Sequence, residues 1–229
     1  MNKYGVLLIH GFGGNIDEIK YLNDYISNKN YNTLAVKLRG HTGSKHHLRN
    51  TNYKDWIDSV EEGFLKLKKE NEKIIVIGFS MGGLLAIDLY SKNKECIDKI
   101  VTINTPIYIW NIKLIIKNIL LDIKNKSKRH ISKYLKGGNK YPLNALYNFN
   151  IFLLKTKEII KHIDCEILIT QATHDEVVNV KSAKYIFDRV KSENKQIKYY
   201  NDFEHVILNS ISKEQISKDI FEFISEKRC

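Results

Sequence analysis

Short apolar runs alternate along the chain with stretches of helical periodicity. Residues 6–9, 33–36, 74–77, 100–103, 167–169 and 197–200 read as strands by length and by their content of Val, Ile, Leu, Thr and Tyr. Residues 17–28 read as a helix with Ile19, Leu22 and Ile26 on one side. Residues 53–69 read as another, with Trp56, Val60, Phe64 and Leu67 three or four apart. Further helices are expected over 81–91, 180–190 and 212–224. This alternation predicts an α/β architecture, a mostly parallel sheet of about six strands with helices on both faces. The run at 74–77 is apolar at every position, as a strand covered on both faces requires.

The rhythm breaks after the fourth strand. Between 106 and 162 strands and helices no longer alternate. Ile112, Ile115, Ile116, Ile119, Leu120 and Ile123 recur with helical spacing and form one amphipathic face. Lysine-rich and Gly137-Gly138 segments follow, and then a second apolar stretch near 151–154. The expected organisation is a core of residues 1–105 and 163–229, with 106–162 inserted as a small helical cap over the carboxyl ends of the strands.

The candidate chemistry sits at strand ends. Gly78-Phe79-Ser80-Met81-Gly82 matches G-x-S-x-G between an apolar strand and a helix. A sharp turn there exposes the Ser80 hydroxyl on a strained backbone and leaves no room for side chains at positions 78 and 82. The following helix directs its N-terminal N–H groups at the site. His10-Gly11-Phe12-Gly13-Gly14 follows the first strand. Acyl transfer needs donors for a developing oxyanion, and the Met81 and Phe12 N–H groups are the candidates, with Gly11 letting the loop approach substrate closely. His10 is read as a residue that orders this loop by hydrogen bonding.

A serine hydroxyl needs a base, and the base needs an orienting carboxylate. Of the 8 histidines, only His205 lies beyond the last expected strand. The acid is sought in Thr173-His174-Asp175-Glu176, after the preceding strand, with Asp175 and Glu176 both in place to serve. His41, His46 and His47 cluster after the second strand without metal-ligand spacing, and read as solvated loop or pocket-rim residues.

Together HGFGG at 10–14, Arg39-Gly40-His41, Asp55-Trp56, GFSMGG at 78–83, His174-Asp175-Glu176 and the 196–200 run before His205 resemble the bacterial carboxylesterases and monoacylglycerol-lipase-like members of the α/β-hydrolase superfamily. The resemblance implies the α/β-hydrolase fold and a Ser80–His205–Asp175 triad with Phe12 and Met81 as oxyanion donors. It also implies hydrolysis of short- to medium-chain acyl esters or monoacylglycerols through an acyl-enzyme, without a cofactor. It favours Asp175 over Glu176. One departure is Glu204, where these enzymes often have glycine before the triad histidine. Ile115 and Ile119 on the cap stripe are candidates for lining the acyl pocket.

Composition changes this picture little. The 229 residues carry a formal charge of +11, but the lysines are scattered among acidic residues and no nucleic-acid-binding module is present. Lys113, Lys117, Lys124, Lys126, Lys128 and Arg129 accompany the cap stripe, so weak contact with an anionic membrane surface is a second reading. An amidase or peptidase with the same triad is a third. The 3 cysteines form no C-x-x-C pair, and Cys165 is expected to be a buried thiol in a reducing compartment. Residues 6–9 are too short for a signal peptide or membrane span, so the expected location is cytoplasmic, as a monomer or small homo-oligomer.

Overall fold

The computed structural model describes residues 2–109 and 141–226. Its six strands, β1 (Asn2–Ile9), β2 (Asn32–Val36), β3 (Asn71–Phe79), β4 (Ile97–Ile103), β5 (Glu166–Ala172) and β6 (Lys195–Tyr200), form one sheet in the order β2-β1-β3-β4-β5-β6. Each neighbouring pair is parallel. The α/β-hydrolase fold expected from the sequence is therefore present. The connecting helices are α1 (Lys20–Ser27), α2 (Lys45–Arg49), α3 (Tyr53–Lys68), α4 (Met81–Lys92), α5 (Leu143–Ile159), α6 (Lys181–Arg189) and α7 (Lys213–Ser225).

Period-two alternation divides the strand residues between the two faces. Leu7, Ile9, Ile74, Val76, Ile100, Ile167 and Ile169 join α3, α4, α5 and α6 in one core layer. Val6, Leu8, Ile75, Ile77, Val101 and Leu168 join α1 and α7 in the other. Both faces are dry, which is why these strands read as unbroken apolar runs.

Local signals explain several element starts. Asn52 and Asp55 form a reciprocal capping box at the start of α3. The Asp55-Trp56 pair is thus structural: Asp55 caps, and Trp56 is fully buried one position further on. The Cys165 thiol, buried ahead of β5, is pushed up to about 12 by desolvation. The short helix α2 carries His46 and His47, which the sequence places in a loop because five residues hold too little periodicity to register.

Of residues 106–162, expected from the sequence to be an insertion, the part before 110 stays against the core. Ile109 bridges Val178, and the Tyr108 N–H bonds the Ser182 hydroxyl at 2.9 Å. The part after 140 forms α5, whose Ala145, Phe149, Phe152 and Leu153 are buried in the same layer as α4. The stripe bearing Ile115 and Ile119, and the basic residues 113–129, lie outside the described residues. Among the described residues, no helix is long and apolar enough to cross a membrane.

Candidate active site

In a parallel sheet all carboxyl ends share one edge, so the loops after β1, β3, β4, β5 and β6 converge there. Ser80 forms the turn between β3 and α4 with φ +53° and ψ −121°, in the left-handed half of backbone space. A Cβ at Gly78 would overlap the Gly82 backbone, and one at Gly82 would overlap the Ile9 carbonyl. Only glycine at both positions lets the turn close against β1. The Ser80 N–H is fixed by the Ile103 carbonyl at 2.7 Å.

The hydroxyl of Ser80 lies 3.0 Å from His205 Nε2, and His205 Nδ1 lies 2.7 Å from Asp175 Oδ2. Asp175 is buried, and its other oxygen accepts from the Val177 and Val178 N–H groups at 2.7 and 2.9 Å. These bonds hold the carboxylate facing the imidazole. They also require the Nδ1–H tautomer of neutral His205, which leaves the Nε2 lone pair towards Ser80. The imidazole keeps 20% of its surface open and packs against the Phe79 ring at 5.2 Å between centroids. Of the two acids read from the sequence, Asp175 is the one bonded to His205. His174 instead stacks on Phe203 with centroids 4.6 Å apart, and its Nδ1 meets the Thr173 hydroxyl.

The loop after β1 lies beside the serine. A Cβ at Gly11 would sit 3.2 Å from Ser80 Cβ. The Gly11 N–H donates to Glu18 Oε2 at 3.0 Å, so this donor is already taken. The Phe12 and Met81 N–H groups have no acceptor among the described residues. The Phe12 ring is enclosed by His41, Trp56, Tyr141 and Phe149 at centroid distances of 5.0–6.0 Å.

His10 orders this loop. Its Nε2 accepts from the Leu38 N–H at 3.3 Å and its Nδ1 donates to the Gly11 carbonyl at 2.9 Å. Burial pushes its pKa down to about 4, so it is neutral at physiological pH. Of the two expectations for the histidine cluster, solvated loop or pocket rim, His41 does not fit the first. It is 2% exposed, donates from Nδ1 to the Arg39 carbonyl at 3.0 Å, and its pKa is lowered by desolvation. His46 and His47 remain exposed. Arg39-Gly40-His41 looked polar in sequence because nothing local announces that the loop folds under α3.

Three further residues support the site and were not singled out by sequence. Glu18 holds the Gly11 amide. Asn104 bonds the end of β5 at Ala172 and the loop after β6 at His205. Asp202 accepts from the Glu204 N–H at 3.0 Å and from the Ser210 and Ser212 hydroxyls at 2.6 Å each, tying both ends of the His205 loop together. An aspartate near paired serines after the last strand was the only local hint of the last.

The comparisons with known proteins agree with this architecture. Residues 5–116 match a family model described as the alpha/beta hydrolase fold, and residues 135–211 match one described as serine aminopeptidase, S33. A carboxylesterase of Bacillus subtilis (strain 168) is 29% identical over 229 residues, spanning 96% of this chain and 92% of that protein. A thermostable monoacylglycerol lipase of Bacillus sp. (strain H-257) is 28% identical over 232 residues, spanning 97% and 90%. One of two metagenome-derived lipolytic enzymes superposes with a TM-score of 0.82 at 19% identity, over 97% of this chain and 94% of that one. By its sheet order, its serine turn and these matches, the chain has the α/β-hydrolase fold.

Proposed function

We propose that the protein hydrolyses carboxylic esters, of short- to medium-chain acyl groups or monoacylglycerols, through an acyl-enzyme on Ser80. The observation that carries this reading is the unbroken hydrogen-bond chain from the Ser80 hydroxyl through His205 to buried Asp175. His205 Nε2 takes the hydroxyl proton as Ser80 Oγ attacks the ester carbonyl carbon. Asp175 holds the imidazole in its reactive tautomer and stabilises the imidazolium. The Phe12 and Met81 N–H groups receive the oxyanion of the tetrahedral intermediate. His205 returns its proton to the departing alcohol. Water, deprotonated by His205, then releases the acid and restores Ser80.

Ester rather than amide bonds are favoured by the names of the two Bacillus relatives, although one matched family model is named for an aminopeptidase. Ile115 and Ile119, on the apolar stripe of the insertion, are offered to the acyl chain. Making both polar in a folded variant should shift the chain-length profile, and an unchanged profile removes them from the pocket.

The main test is a panel of p-nitrophenyl esters, monoacylglycerols and matched amides, run with wild type and Ser80→Ala. Ester turnover that falls by about 10⁴–10⁶ in the variant supports the reading. Wild-type turnover by Ser80→Ala overturns it. Amide turnover exceeding ester turnover redirects it to an amidase.

A further inference from the structure

The nucleophile turn, acid loop and base loop follow three different strands, and one buried side chain outside the triad joins the end of the strand before the acid loop to the base loop. Asn104 comes directly after β4, is fully buried, and has φ +46°. Its backbone N–H donates to the Thr170 carbonyl in β5 at 2.9 Å. Its Oδ1 accepts from the Ala172 N–H at 2.8 Å, at the end of the strand that leads to Asp175. Its Nδ2 donates to the His205 carbonyl at 2.8 Å. The preceding residue, Ile103, receives the Ser80 N–H. The amide orientation is dictated by the partners, since an N–H needs an oxygen and a carbonyl needs a donor.

We propose that Asn104 is a positioning residue that sets the spacing between the acid loop and the base loop, and so keeps His205 in line between Asp175 and Ser80. This rests on the triad reading given above. Asn104 touches no reacting atom and acts through the His205 main chain. His205 lies outside helix and strand, where a backbone carbonyl has no ladder to fix it. Asparagine suits the position on two counts. It tolerates left-handed backbone better than other side chains do. It also places one donor and one acceptor on a single rigid plane. An ionised aspartate would keep the bond to Ala172 but turn an oxygen towards the His205 carbonyl. Glycine would keep the backbone conformation and lose both bonds.

The test uses Asn104→Gly and Asn104→Asp. The readouts are kcat and KM for p-nitrophenyl butyrate, and the rate at which a fluorophosphonate labels Ser80, each per folded molecule. Misplaced catalytic groups cost up to about a hundredfold in rate. The expected result is a loss of about tenfold to a hundredfold in both kcat and labelling rate, with KM within about twofold. A lower Tm with kcat and labelling rate within about twofold of wild type would show a purely structural residue and overturn the proposal. If Asn104→Gly does not fold, Asn104→Asp decides by the same readouts. Ser80→Ala and His205→Ala serve as controls. If they retain turnover, the triad reading falls and this inference with it. If they lose turnover while the Asn104 variants do not, only this inference falls.

Discussion

The loops after β1 and β2 hold His10 and His41, and the loop after β6 holds His205. All three imidazoles lie near the same sheet edge, yet their partners differ. His10 and His41 each donate to a backbone carbonyl and are closed off from water. A neutral carbonyl cannot repay the desolvation of an imidazolium, and burial holds both histidines below their ordinary pKa. His205 donates to a buried carboxylate and keeps part of its ring open. A base must accept a proton and give it back, so the partner of Nδ1 separates an imidazole that can serve as one from an imidazole that cannot. Proximity to the serine does not: His10 is adjacent to Gly11, which itself borders Ser80.

That contrast can be broken experimentally. The largest effect is expected at His205, the proposed base. His205→Ala should lower kcat by about 10⁴–10⁶ in steady-state ester assays, and comparable losses from His41→Phe would erase the distinction. Asp175→Asn tests the partner directly. It keeps the shape but favours the wrong tautomer, and should cost about 10⁴ in kcat with the fold unchanged by circular dichroism.

The other side of the comparison concerns stability. The unfolded chain protonates His10 near its ordinary pKa, whereas the folded protein resists until about pH 4. The unfolded state thus binds more protons in between, and stability falls as pH drops from about 6.5 to 4. Denaturant unfolding at both pH values should give a loss about 3 kcal/mol smaller in His10→Gln than in wild type. Equal pH dependence would mean that His10 is not held neutral by burial.

A smaller effect is expected at Glu18, which occupies the Gly11 N–H. Glu18→Ala frees that loop and should reduce kcat by about tenfold with little change in KM, measured on the same esters. The smallest effect is expected at Asp202. Burial opposes its charge, but hydrogen bonds from Glu204, Ser210, Ser212 and Phe203 outweigh that cost and hold the carboxyl below the usual range. Its contribution is complete above the ordinary carboxylate pKa of about 3.9 and is lost as pH falls through the lower folded value. Asp202→Asn should therefore flatten acid unfolding only below about pH 4, as followed by fluorescence.

Much of this molecule was legible along the chain. The strands, the flanking helices and the glycines at 78 and 82 follow from local rules: period-two and period-3.6 burial, and the space a Cβ needs in a tight turn. Those rules act over a few residues, so they determined where Ser80 sits and why its backbone turns left-handed. Chain order pointed to His205 and the resemblance to Asp175, but the contacts themselves are tertiary. Asp175 meets a histidine 30 positions away, and that histidine meets a serine 125 positions away. His41 became a buried ring because α3 folds over its loop, and Asn104 gained partners at the end of β5 and in the loop after β6, which join it only in the sheet. The physical reason is that tautomer, proton affinity and alignment depend on which groups share a dry space, and chain order specifies that space only after the sheet has assembled.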